Sequence, residues 1–271
     1  SSSSRHRHNS TGASSSSHRF SSKGNKNGLC WANGPYVDVG KFKKSMSWLY
    51  SWSASMPLKD GKWWLPDDIQ YFPMLWGKER KRIAEWKKHV LNDRHARQNK
   101  AKVAMGPNEV NQVGQGKMTP AEACDLYRKY IIPLKDEDGW YLIGPSTTSA
   151  PDGKKWTKEF KKSCPDVYRK IDADAVHYYG TNPDTAIKYI KDWHQTFGKD
   201  IWITEIGCMN FDGSGPPTLG QAYDFLKRTS NFADDADYVK GYAYYAVLEK
   251  LNINPVNRLS TVTGNPTDLF K

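Results

Sequence analysis

Asp200-Ile201-Trp202-Ile203-Thr204-Glu205-Ile206 is a run of β-branched and aromatic side chains, and it follows directly on a stretch with a different periodicity. Upstream, Asn182-Pro183 carries helix-start chemistry, Ile187, Ile190, Trp193 and Phe197 recur at helical spacing, and Gly198 stops the pattern. A helix with one apolar stripe feeding a short buried strand is the repeating unit of a parallel sheet. The same alternation runs outward in both directions. Strands are predicted at 28–32, 47–52, 70–75, 101–106, 140–145, 174–179, 200–206 and 241–247. Another helix is announced by Thr119 as N-cap, Pro120 in the first turn and Glu122 at the capping-box position. Eight such units in 271 residues suit a barrel, which typically takes about 250. The sequence therefore predicts an α/β fold, a single compact (β/α)8 TIM-type barrel. The irregular connection after the second strand predicts a vestigial or missing helix there.

The formal net charge of +11 is unevenly spread. Residues 1–27 hold Arg5, Arg7, Arg19, Lys23 and Lys26 with no acid, and 78–102 hold ten Lys/Arg against Glu79, Glu85 and Asp93. The rest of the body is close to neutral. No nucleic-acid reading motif accompanies the basic segment, so a solvated helix face is the better reading and no nucleic-acid partner is expected. Mean hydropathy is −0.77, and no run approaches the ~20 apolar residues of a membrane helix.

Residues 1–22 contain eleven Ser and three His with almost no apolar side chain, too little to offset the entropy of ordering them. Residues 1–27 are accordingly predicted to be a disordered tail, with 28–271 as the folded domain. Asn9-Ser10-Thr11 is a glycosylation acceptor and Ser-rich stretches can carry O-linked sugars, so an extracellular or cell-wall location is expected. Cys30, Cys124, Cys164 and Cys208 lack C-x-x-C spacing, which argues against zinc. Three disulfide pairings of two bridges are open, Cys124–Cys164 being the preferred bridge. Neither metal nor cofactor is expected, and the domain is expected to be a monomer.

Chemistry in a barrel sits where loops follow the carboxyl ends of strands. Glu109, in Gly106-Pro107-Asn108-Glu109-Val110-Asn111, follows the fourth strand, and Glu205 ends the seventh. Either alone is more often a surface or salt-bridged Glu. Two acids at strand ends in an aromatic-rich frame suggest sugar cleavage.

Six strand-end motifs make the pattern specific: Trp48-Leu49-Tyr50-Ser51-Trp52, Phe72-Pro73-Met74-Leu75-Trp76-Gly77, Asn108-Glu109, His177-Tyr178-Tyr179-Gly180, Trp202-Ile203-Thr204-Glu205-Ile206-Gly207 and Ala243-Tyr244-Tyr245. In this order they resemble the clan A glycoside hydrolases, and more closely glycoside hydrolase family 128, the fungal and bacterial β-1,3-glucanases. The resemblance implies a retaining β-1,3-glucan hydrolase of fungal type, with Glu205 as nucleophile and Glu109 as acid/base. It also implies that Asn108 binds the sugar 2-hydroxyl and that Tyr179 hydrogen-bonds the nucleophile. Departures lie at Pro107, where the family has an aromatic residue, at Val110-Asn111 in place of Pro-Asp, at Ser51 in place of Asn, and at Tyr244 in place of Trp.

His177 is open between a substrate or supporting role and a satisfied polar core group. Flat side chains suit the apolar C–H faces of sugars, so Trp31, Trp52, Trp76 and Tyr244, at or near strand ends, are candidate walls. Trp86, Trp193 and Trp202 are assigned to packing. The 17-residue connection Ser53–Ile69 is longer than the ~2–6 usual for a βα loop. Trp63 and Trp64 within it are candidates, one indole anchoring the loop and the other facing the cleft. The alternative function is a catalytically weak or inactive glucan-binding protein on the same barrel.

Overall fold

The computed structural model describes residues 25–247, 255–259, 261 and 265–271. Among the described residues eight strands form one sheet: β1 (Asn27–Trp31), β2 (Trp48–Tyr50), β3 (Gln70–Tyr71), β4 (Val103–Met105), β5 (Tyr141–Ile143), β6 (Ala173–Gly180), β7 (Asp200–Cys208) and β8 (Val239–Val247). Their order is β3-β2-β1-β8-β7-β6-β5-β4, and every ladder is parallel. Pro73 has no N–H to give to a β3–β4 ladder. The curl closes instead through Met105 N–H to Pro73 O (2.9 Å) and Leu75 N–H to Met105 O (3.0 Å). The architecture is that of a (β/α)8 barrel.

Seven helices cover it among the described residues: α1 (Arg80–Trp86), α2 (Pro120–Tyr130), α3 (Ile132–Asp138), α4 (Pro151–Ser163), α5 (Pro165–Lys170), α6 (Pro183–Phe197) and α7 (Leu219–Asp235). The Thr119 capping box opens α2, and Gly198, at φ 71°, closes α6. In α6 the fully buried stripe is Ala186, Ile190, Trp193 and Phe197, with Ile187 turned partly to solvent. Residues 51–69 hold no helix, as the sequence predicts, and the β1–β2 connection holds only a 3-10 turn at Val39–Ser45.

The tail boundary moves slightly. Residues 1–24 of the expected tail lie outside the described residues. Lys26 and Asn27, by contrast, belong to the barrel. The Lys26 ammonium donates to the carbonyls of Ala233, Asp234 and Ala236 at the carboxyl end of α7 (2.8, 3.0 and 3.0 Å), where positive charge is favourable.

Two apolar layers follow from strand alternation. Cys30, Trp48, Tyr50, Phe72, Met105, Trp202 and Ala243 fill the barrel interior. Leu29, Trp31, Leu49, Ile203, Ile206, Tyr242 and Tyr244 face the outer layer. The interior indoles fit only because two neighbouring positions lack a side chain. A Cβ on Gly28 would stand 2.2 Å from Trp48 Cε2, and one on Gly241 would stand 2.3 Å from Trp202 Cζ3.

Four of the ten basic residues in 78–102 are held in ion pairs, Lys78–Glu122, Arg94–Glu137, Arg97–Asp67 and Lys102–Asp138. Arg82 lies over the Trp76 ring and Lys87 over Tyr130. The segment is thus largely engaged with its own fold.

Cys124 of α2 is bonded to Cys164 at the α4–α5 junction, with Cα atoms 6.0 Å apart, whereas Cys30 and Cys208 are free and buried. The bridge closes 40 residues of sequence separation, a loop whose constraint in the unfolded chain is worth about 2–4 kcal/mol. Replacing both cysteines by Ser is expected to lower unfolding free energy by about that amount in urea titrations, with the reduced wild type falling to the same midpoint.

Candidate active site

A cleft of about 1210 Å³ opens at the carboxyl ends of the strands, and every strand contributes to its wall. In order around the barrel come Ala32 and Asn33 after β1, Trp52 after β2, Trp76 after β3, Asn108 and Glu109 after β4. Thr148, Ser149 and Ala150 follow β5, then Tyr179 on β6, Glu205 on β7 and Tyr245 on β8.

Glu205 reaches this cleft through an irregularity in β7. Ile203 pairs with Val176 and Glu205 with His177, so Thr204 is an extra residue in the ladder to β6, and a register shift falls at the same place against β8. A bulge of this kind re-aims side chains. Its result is that Thr204 and Glu205 both serve the inner side, while Ile203 and Ile206 keep to the outer layer. Tyr179 O–H then donates to Glu205 Oε1 (2.6 Å), and Trp52 Nε1–H donates to Oε2 (3.1 Å). Short bonds to a carboxylate are the strong ones, and with one on each oxygen the group is held in rotation.

Glu109 is set by backbone rather than by a strand. Its φ is 47°, a left-handed conformation costly for a residue with a Cβ, which the surroundings must over-determine. Glu109 N–H donates to Ser146 Oγ (3.0 Å), Val110 N–H to Ser146 O (3.0 Å) and Ser146 N–H to Pro107 O (3.0 Å). Asn111 continues the seam by donating to Thr148 Oγ1 (2.8 Å) and Asp152 Oδ1 (2.9 Å) and accepting from Thr148 N–H (2.9 Å). Asn111 thus fastens the loop after β4 to the loop after β5. Gly106 permits the approach to α2, because a Cβ there would lie 1.9 Å from the Tyr127 hydroxyl.

His177, fully buried, joins the two acids. Its Nδ1 lies 3.3 Å from Glu109 Oε2 and 3.5 Å from Glu205 Oε2, and its Nε2 lies 2.8 Å from Thr204 Oγ1. A proton on Nδ1 lets the ring donate to whichever of these carboxyl groups is ionised. Burial pushes the imidazole pKa down, but the charge of Glu205 together with the hydrogen bond and charge of Glu109 outweighs it, and the net direction is up. Asn108 is buried beside this group. Its Nδ2 donates to Gln115 Oε1 (3.1 Å), and its Oδ1 is buried with no hydrogen-bond partner among the described residues.

The structure brings Asn108, Glu109, Tyr179, Glu205, Trp52 and Trp76 to the cleft wall, with His177 beneath, and leaves four expected wall residues elsewhere. Trp31 has no exposed surface, because its neighbour Cys30 points inward and alternation turns Trp31 outward against Phe42 and Trp64. Tyr244 also faces outward, hydrogen-bonded to Thr229 and to Leu226 O. Its neighbour Tyr245 takes the cleft position, near Trp52 and Tyr179. Trp63 and Trp64 both hold the long loop down: Trp64 packs on Trp31 and donates to Pro57 O (2.9 Å), and Trp63 packs on Tyr71. Neither lines the cleft. Strand parity, legible from the small inward Ala243, could have found Tyr245. Gln112, Gln115, Met209 and the exposed Phe211 also line the cleft, and they come from loops that carry no periodic signal.

Among the described residues no group of three or more His, Cys, Asp or Glu is gathered as metal ligands would be, and no helix is long and apolar enough to cross a membrane. Glycoside cleavage needs a pair of carboxyl groups on either side of the scissile bond, and this cleft holds Glu109 and Glu205 among aromatic side chains. The family profile described as "Glycosyl hydrolase catalytic core" matches residues 28–271. The chain belongs to that family. The domain is 25% identical over 251 residues to Alkali-sensitive linkage protein 1 of Schizosaccharomyces pombe, an alignment covering 90% of this chain and 43% of that protein, so it spans less than half of that relative. Its fold is shared with glycoside hydrolase family 128 structures. One is a subgroup II endo-β-1,3-glucanase of Sorangium cellulosum (20% identity, 90% of this chain and 95% of that one, TM-score 0.74). Another is a subgroup III curdlan-specific exo-β-1,3-glucanase of Blastomyces gilchristii in complex with glucose (25%, 90% and 95%, TM-score 0.70).

The raised His177 pKa has a definite effect on stability. The folded state holds this proton more tightly than the unfolded chain, so the contribution is complete below the ordinary value of 6.5 and is lost as pH rises through the folded value. Urea unfolding from about pH 6 to 9 is expected to show wild type losing stability relative to His177→Asn across that window. A constant difference would mean that the ring does not titrate there.

Proposed function

We propose that this domain hydrolyses β-1,3-glucan with retention of configuration, Glu205 acting as nucleophile and Glu109 as acid/base. The observation that carries the reading is the shared imidazole nitrogen. Two carboxylate oxygens 3.3 and 3.5 Å from His177 Nδ1 are less than about 7 Å from each other. Retaining pairs stand ~5–5.5 Å apart and inverting pairs ~6.5–9.5 Å, with a water between, so the bound takes in the whole retaining range and only the lower edge of the inverting one.

In the first step Glu205 attacks the anomeric carbon while Glu109 protonates the departing oxygen. In the second, Glu109 takes a proton from the water that breaks the glycosyl-enzyme ester. Tyr179 and Trp52 aim the nucleophile, and His177 places its N–H between the two acids as charge moves between them. Asn108, in the cleft wall, meets the sugar 2-hydroxyl through its amide. Trp52, Trp76 and Tyr245 offer flat surfaces to the ring faces. The β-1,3 linkage is supported by the named activities of the family 128 enzymes that share the fold. The Cys124–Cys164 bridge supports a site of action outside the cell or in its wall, where disulfides persist.

A binding-only reading draws on the altered segment Gly106–Asn111, where Asn108 gives one of its two amide N–H groups to Gln115. Reducing-sugar release from a soluble β-1,3-glucan separates the two, because a binding protein releases none. Glu109→Gln and Glu205→Gln are each expected to lower turnover by several orders of magnitude in a folded protein that still binds oligosaccharide. With an activated aryl glucoside, azide is expected to rescue the Glu109 variant with retained configuration and a small Glu205 variant with inversion. The reverse pattern would exchange the two roles.

A further inference from the structure

Trp63 lines a second, smaller concavity. This pocket of about 210 Å³ lies on the flank of the barrel, between the starts of β3 and β4, where the ladder between those strands is interrupted. Trp63, Leu65, Ile69 and Tyr71 form its apolar floor, and Gln70, Asp67, Arg97 and Lys100 supply polar groups around it. It shares no lining residue with the catalytic cleft and sits at the opposite end of the strands, since Gln70 opens β3 and Ala101 precedes β4.

We propose that this flank pocket is a second carbohydrate site that holds one hexopyranose unit of a neutral β-glucan chain. The identity of the glycan rests on the function proposed above. A sugar needs an apolar surface for its C–H face and a mixed set of donors and acceptors for its hydroxyls. The indole of Trp63 is half-buried and held by Tyr71 at 5.6 Å, edge to face, so it is fixed without being covered over. The Arg97–Asp67 pair, at 2.7 Å, engages one carboxylate oxygen and leaves the second oxygen and further guanidinium N–H groups for vicinal hydroxyls. Its side chains are 58% and 67% exposed, and an exposed pair contributes little to stability. With both signs present, the surroundings suit a polyhydroxyl ligand better than a phosphate or uronate. The volume admits one ring, so the chain would pass across the pocket and the cleft would remain free to cut elsewhere along the same particle.

The test uses the full chain carrying Glu205→Gln, so that glucan is bound and not consumed, and measures depletion onto insoluble linear β-1,3-glucan particles. Adding Trp63→Ala, or Asp67→Ala with Arg97→Ala, is expected to weaken particle binding about three- to tenfold, as loss of a ring contact would. The same substitutions in the active chain are expected to leave kcat/KM on laminaritriose within about twofold. If Trp63→Ala lowers the melting temperature by several degrees, the double variant decides, because both its side chains are exposed. Unchanged particle binding by the double variant, or an equal loss on laminaritriose, overturns the proposal. Methyl β-glucoside titrated into the ¹⁵N-labelled full chain checks the pocket without relying on hydrolysis. A shift of the Trp63 indole N–H in a chain that cleaves no β-glucan would sink the catalytic reading and keep the pocket. Cleavage with no shift and no change in particle binding would do the reverse.

Discussion

One extra residue in β7 governs the geometry of the site. In a regular strand Thr204 and Glu205 would face opposite sides of the sheet, and only one could touch His177. Because the ladder slips between Val176 and His177, both meet the same ring, Thr204 at Nε2 and Glu205 at Nδ1. His177 in turn reaches Glu109, which comes from a loop and not a strand. The two acids therefore take their relative position from a single imidazole anchored by a bulge.

The order of elements was legible because periodicity and turn chemistry are local. All eight strands fall in the predicted windows, give or take a few residues, and the Thr119 and Asn182 helix starts are where capping requires them. Side-chain direction was less legible, since a shift of one residue sends every side chain to the other face. Tyr244 and Trp31 show this: each adjoins a residue that does face inward, and each packs under the outer layer instead. Tyr245 takes the place expected for Tyr244. The bulge itself leaves no mark in composition, so no alternation count could have placed Thr204 and Glu205 together on the inner side.

The missing helix explains Trp63 and Trp64. A barrel strand needs cover on its outer face, which carries Leu29, Trp31 and Leu49 here. Residues 51–69 cover it with two indoles at the cost of a long loop, and Trp64 against Trp31 does the work of a helix face. An indole pair in a long loop looks the same in sequence whether it covers a strand or lines a cleft. The deciding quantity is whether a helix competes for the same outer surface, and that is a property of the whole barrel.

Beneath Glu109 and Glu205 the interior is built to stay still. Tyr50 O–H donates to Thr204 O (2.6 Å), and Cys30 Sγ lies 3.4 Å from the same carbonyl. Burial first, and then the charge of Glu205, pushes the Cys30 thiol well up, so this cysteine stays protonated and unreactive as a small filler. Trp48, Phe72 and Trp202 pack against one another below that layer in the space left by Gly28 and Gly241. Such a floor cannot relax around a substitution without moving an indole. The carbonyl of Thr204 is thereby fixed from below while its hydroxyl fixes His177 from the side. Packing in the barrel core and placement of the two carboxylates are in this way one constraint, transmitted through the backbone of the bulge.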